Sequence, residues 1–96
     1  MAANVTIYTT NVCPYCVRAK DLLNKKNVAF TDVNVETRPD LREWLVERSK
    51  QRTVPQVFVN GEPLGGFTDI AALDRAGRLD ALLARDPQPS DPPLLT

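Results

Sequence analysis

The chain has two cysteines, Cys13 and Cys16, and Pro14 directly follows the first. This short motif constrains the fold more than any other feature. Upstream, Val5-Thr6-Ile7-Tyr8 alternates β-branched and aromatic residues, as a strand does. Proline suits the first helical position, where its missing N–H has no helical partner. Cys16, Ala19 and Leu23 then recur at i, i+3 and i+7, which makes one apolar stripe of a helix ending near Asn24 to Asn27. The cysteines therefore stand at a strand-to-helix junction. A disulfide between them closes a tiny loop, and loop-closure entropy grows with loop length, so it would stabilise the fold little. The pair reads as chemistry rather than as a staple. A zinc site needs about four ligands, and the chain has no histidine and no further cysteine to complete one.

The rest of the chain continues the alternation. Residues 28–35 read as a second strand. Thr37-Arg38-Pro39-Asp40 places an acid three residues after a threonine, a variant of the capping box. The helix it opens turns Leu41, Trp44 and Leu45 inward and runs to about Lys50. Val57-Phe58-Val59 is a short third strand, and Asn60-Gly61 is a strong hairpin signal. A fourth strand at about residues 62–65 should return antiparallel. Gly65-Gly66 permits a sharp turn or close backbone approach. Thr68 or Asp69 then caps a third helix that runs through Ala76 and ends at Gly77. Leu79, Leu82 and Leu83 form a last helical turn.

The order β-α-β-α-β-β-α predicts an α/β fold. Its first βαβ unit should be parallel and right-handed, and the hairpin adds antiparallel strands. The result is a four-stranded mixed sheet flanked by helices on both faces. With 96 residues, the chain holds one core. Residues 1–85 form that domain. Residues 86–96 carry four prolines, no periodicity and little to bury, and read as a disordered tail.

Twelve basic and twelve acidic side chains cancel, so nothing points to nucleic acid or an anionic membrane as partner. No apolar run is long enough to span a bilayer. Met1-Ala2-Ala3-Asn4 has no basic start and no apolar core, so no secretory signal is expected. A cysteine pair without long-range partners fits the cytoplasm. The lack of histidine removes Cys–His and Ser–His nucleophilic sites.

The reactive species at such a site is a thiolate. At a helix N-terminus, unpaired N–H groups and the helix dipole favour negative charge on Cys13. Cys16 lies one turn further in, on the apolar stripe. That asymmetry assigns Cys13 as nucleophile and Cys16 as the residue that resolves a mixed disulfide.

Three separated segments, residues 8–20 (YTTNVCPYCVRAK), Thr53-Val54-Pro55 and Gly65-Gly66-Phe67-Thr68-Asp69, resemble the glutaredoxin family in its dithiol Cys-Pro-Tyr-Cys class. The resemblance covers about residues 4–83. It implies a thioredoxin-like fold and a redox-active disulfide. It also implies glutathione-dependent reduction of glutathione mixed disulfides and of protein disulfides. Thr53-Val54-Pro55 would be a loop with a cis-proline, its Val54 backbone turned toward substrate as an added strand would be. The N–H groups at the start of the Thr68-Asp69 helix can hold a carboxylate, and the Asp69 side chain an ammonium. A γ-glutamyl group carries both on one carbon. Tyr15 would lie against the bound tripeptide, and Arg42 would reach its glycyl carboxylate. Many members have a lysine three residues before the first cysteine; here that position is Thr10, which implies weaker glutathione binding. Lys20, one turn beyond Cys16, adds positive field rather than a contact.

Two other readings compete. One is a redoxin reduced by thioredoxin reductase. The other is an iron–sulfur carrier, in which Cys13 from two chains and two glutathione thiols would supply the four thiolates a cluster needs. That role belongs to the family's Cys-Gly-Phe-Ser branch. The expected partners are glutathione and glutathionylated or disulfide-containing proteins, with no metal, and the chain is expected to be a monomer.

Overall fold

The computed structural model describes residues 2–96; Met1, which begins the opening stretch read above, lies outside the described residues. Among the described residues the elements run β1 (Val5–Thr9), α1 (Pro14–Lys25), β2 (Thr31–Asn34), α2 (Pro39–Ser49), β3 (Gln56–Val59), β4 (Glu62–Gly65), α3 (Phe67–Arg75) and α4 (Leu79–Leu83). The four strands form one mixed sheet in the order β2-β1-β3-β4. β1 and β2 are parallel, with Tyr8 beside Val33. β3 runs antiparallel to β1, with Ile7 beside Val57, and β4 runs antiparallel to β3.

Alternation along the central strands divides the core in two. Val5, Ile7, Val57 and Val59 face Ala19 and Leu23 of α1, Ile70 of α3, and Leu79 and Leu83 of α4. Tyr8 and Phe58 point the other way, against Leu41, Leu45 and Trp44 of α2. With both faces covered, β1 and β3 are buried along their whole length. That burial takes in polar residues too: Thr6, Thr9 and Gln56 are buried along with the apolar ones.

The predicted hairpin forms. Asn60 and Gly61 both take positive φ, 51° and 80°, as the two-residue turn that matches strand twist requires. Other expectations shift by a few residues. The second strand begins at Thr31 rather than Val28, because the Val28 N–H bonds back to the Leu23 carbonyl at the end of α1 and is not free for the ladder. Phe30 and Val28 still pack on the core. The Thr37–Asp40 box does not form. Arg38 is the N-cap of α2 and makes no side-chain cap bond, because Pro39 takes the first helical position and leaves Thr37 one residue too early. The third helix likewise starts before Thr68. Gly66 is its N-cap, and Asp69, at the third helical position, accepts the Gly66 N–H at 2.9 Å.

The Pro-rich segment, read from sequence as disordered, lies back on the molecule. The Leu95 carbonyl accepts the Tyr8 hydroxyl at 2.7 Å, and the Pro93 carbonyl accepts Arg48 at 3.0 Å. Leu94 packs on the Tyr8–Phe58 cluster. The reason is coverage. Three helices shield one sheet face, but α2 alone shields the other, so an apolar strip beside Tyr8 is left for the tail.

Candidate active site

Cys13 is the N-cap of α1, in extended conformation (φ −150°, ψ 95°). Its Sγ accepts the Cys16 N–H at 3.1 Å, so the sulfur takes the place of a capping oxygen and satisfies an otherwise unpaired helix donor. The same N–H stabilises negative charge on that sulfur once the thiol is free. The two cysteines are joined in a disulfide. Cys13 is half-buried at the molecular surface, whereas Cys16 is 2% exposed and sits in the core stripe of α1. The expected asymmetry is therefore present: an incoming group can reach one sulfur and is screened from the other.

The segment before β3 faces Cys13. Val54–Pro55 is a cis peptide bond, and the Val54 carbonyl oxygen lies 3.8 Å from Cys13 Sγ. Beside this pair opens a cleft of about 340 Å³, lined by Tyr15, Gln51, Thr53, Val54, Pro55, Gly66, Phe67, Thr68 and Asp69. The ring of Tyr15 is half-exposed, 6.2 Å from the ring of Phe67, and the Arg18 guanidinium lies over it at 5.3 Å. The opposite wall is the start of α3. Gly65, at φ 107°, turns the chain so tightly that Asp69 packs against it, and the first turn of the helix then faces the cleft.

The structure thus brings together Cys13, Tyr15, Thr53, Val54, Pro55, Thr68 and Asp69. It does not bring Arg42 to them. Arg42 is exposed on α2 and borders a separate groove with Glu43, Val46, Glu47 and Arg52. Lys20 does not turn toward the sulfurs either. Its ammonium pairs with Asp32 on β2 at 2.5 Å, and Asp32 is in turn held by the Thr9 hydroxyl at 2.7 Å. Sequence reasoning missed Gln51 and Phe67 as lining residues. Phe67 lay inside the quoted Gly-Gly-Phe-Thr-Asp segment, and its aromatic type beside a turn was the available signal. Gln51 offered none.

A cysteine pair at a helix N-terminus, with one sulfur reachable and an open cleft beside it, defines a thiol–disulfide oxidoreductase site. Comparison with known proteins agrees. The family model described as glutaredoxin matches residues 5–64. A glutaredoxin of Pseudomonas aeruginosa is 48% identical over 80 residues, spanning 83% of this chain and 95% of that protein. Glutaredoxin 3 of Escherichia coli is 47% identical over 81 residues, spanning 84% and 98%. Among solved structures, a buckwheat glutaredoxin–glutathione complex superposes with a TM-score of 0.78 at 26% identity, covering 84% of this chain and 76% of that one. The chain belongs to the glutaredoxin family, with its thioredoxin-like fold. Among the described residues, no helix is long and apolar enough to cross a membrane.

Proposed function

We propose that this protein uses glutathione to reduce glutathione mixed disulfides and protein disulfides, with Cys13 as nucleophile and Cys16 as resolving thiol. One observation carries the reading. The reachable sulfur of Cys13 lies 3.8 Å from the Val54 carbonyl, and Val54 lines a cleft whose far wall is a helix N-terminus bearing Asp69. A γ-glutamyl group needs donors for its carboxylate and an acceptor for its ammonium, and the first turn of α3 offers both. The Val54 backbone supplies the edge along which an extended tripeptide can lie. A glutathione-bound relative of the same fold supports this placement.

The chemistry is two sulfur exchanges. The Cys13 thiolate attacks the glutathione sulfur of a mixed disulfide. The S–S bond breaks, the substrate thiol leaves, and glutathione remains on Cys13. The thiolate of a second glutathione attacks that glutathione's sulfur, which releases glutathione disulfide and restores Cys13. With a protein disulfide, Cys13 first forms a mixed disulfide with the substrate. Cys16 then attacks Cys13 Sγ, frees the reduced substrate and leaves the Cys13–Cys16 disulfide for two glutathiones to reduce.

Turnover of a glutathionylated peptide with glutathione, glutathione reductase and NADPH tests this, with thioredoxin reductase replacing the glutathione system in parallel. The expected result is turnover with glutathione that survives Cys16→Ser and is lost in Cys13→Ser. Turnover with thioredoxin reductase alone would establish a different electron donor, and an active Cys13→Ser would overturn the assignment of roles.

A further inference from the structure

The first residue of β3, on the α2 side of the sheet, is not apolar. Gln56 is 0% exposed, and a buried amide is costly unless it is hydrogen-bonded. Its Nε2 donates to the Thr53 carbonyl and to Gln51 Oε1, both at 2.9 Å. Its Oε1 has no partner among the described residues. Gln51, bound in this way, turns its own Nε2 to Asp69 Oδ2 at 3.3 Å. The same Oδ2 accepts the Gly66 N–H at 2.9 Å. Both bonds therefore fall on one oxygen of Asp69, and among the described residues Oδ1 is the oxygen left for a ligand.

A helix cap needs only the Gly66 bond. The two glutamines add a second anchor that reaches from the sheet to the cleft wall, and a carboxylate held at one oxygen from two directions loses its freedom to rotate. We propose that Gln51 and Gln56 are positioning residues that orient Asp69 so that Oδ1 receives the α-ammonium of the bound tripeptide. This rests on the glutathione reading above. Gln56 fixes Gln51, Gln51 fixes Asp69, and neither glutamine touches the reacting sulfurs.

The test is single-turnover transfer of the tripeptide from a fluorescent peptide disulfide to Cys13, in a Cys16→Ser background where the mixed disulfide persists. Two donors are compared: the glutathione disulfide, and the same peptide carrying glutathione whose γ-glutamyl group is replaced by glutaryl and so lacks the amine. Gln51→Met and Gln56→Met keep side-chain length and remove the hydrogen bonds. Gln51→Met should raise the half-saturating concentration of the glutathione donor roughly two- to tenfold, the range for the net loss of one ordinary hydrogen bond, since Gln51 acts on the ligand only through Asp69. It should leave the amine-free donor unchanged. Gln56→Met also frees the Thr53 carbonyl, so its readout is the ratio between donors, which should fall as it does for Gln51→Met. Half-buried Gln51 keeps the test valid if the buried variant fails to fold. Equal loss with both donors, or no loss with glutathione, would overturn the proposal, as would wild-type protein that does not distinguish the donors. Wild-type protein that transfers neither tripeptide would instead overturn the glutathione reading itself.

Discussion

Removing the Tyr8 hydroxyl should destabilise the 96-residue chain and do nothing to a chain that ends at Pro93. Tyr8 is the fourth residue of β1 and is fully buried, its ring 5.3 Å from Phe58 and 5.8 Å from Trp44. Tyr8→Phe keeps those ring contacts and deletes one hydrogen bond, the 2.7 Å contact to the Leu95 carbonyl. A bond of this kind contributes about 0.5–1.5 kcal/mol net. For a domain of this size, 1 kcal/mol corresponds to roughly 4–8 °C in Tm. Deleting Leu94, Leu95 and Thr96 removes the acceptor and lets water reach the hydroxyl, so in that background Tyr8→Phe should cost close to nothing. The coupling between the two changes is then about 1 kcal/mol, measurable in a double-mutant cycle. The chain has a single tryptophan, and Trp44 stacks on Phe58 in the same cluster, so its fluorescence reports urea unfolding of all four proteins. The same loss from Tyr8→Phe in both backgrounds would show that the tail does not dock on β1, and the coverage argument would fail.

Three further outcomes follow from the same geometry. Burial pushes the Tyr8 hydroxyl up from 10.0 to about 12, against a smaller opposing pull from Arg48. Its contribution to stability is therefore complete below pH 10 and lost as pH rises toward 12. Urea midpoints should fall across that window in wild type and fall less in Tyr8→Phe. A residual slope of the same sign remains from Lys26, which is raised chiefly by its hydrogen bond to Asp74. Gly61→Ala should lower Tm in the full chain, because Gly61 holds φ 80° and a β-carbon there meets the Pro92 carbonyl; ending the chain at Arg85 should relieve the clash and leave only the cost of the left-handed backbone. Thr10→Lys should lower the half-saturating glutathione concentration roughly 1.4- to 5-fold, as an exposed ion pair of about 0.2–1 kcal/mol would, and added salt should shrink the gain.

The parts that were legible in the sequence share a cause: they depend on neighbours within one turn or one strand. Asn60-Gly61 specifies its own hairpin, and Cys13-Pro14 specifies its own helix start. The caps of α2 and α3 were misplaced because a cap is chosen by backbone angles that a single residue alters. Pro39 claimed the first helical position of α2, and the left-handed turn at Gly65 started α3 at Phe67. The docked tail depends on a tally of the whole molecule, namely which sheet face lacks a cover, and no local pattern carries it. The glutamines were illegible for the same reason. Gln51 and Gln56 are ordinary polar residues in sequence, and only the fold brings Gln51 to Asp69 and Gln56 to Gln51.

The placement of the site follows from the division of the two sheet faces. α1 and α3 pack on the same face, through Ala19, Leu23 and Ile70, so their N-termini open onto one shared cleft. One N-terminus holds a sulfur at 3.1 Å from a backbone N–H; the other presents unpaired N–H groups and Asp69. Both termini favour negative charge. Were the two groups served by one helix, a thiolate and a carboxylate would compete for the same donors. On the proposed glutathione reading each charge has its own helix, and the distance between the two termini is fixed by core packing rather than by a mobile loop. Ala19 is fully buried where these helices meet the sheet, and a larger side chain there would spread the termini without touching either sulfur. The reach of the cleft from Cys13 to Asp69 is therefore set by apolar residues that take no part in the chemistry.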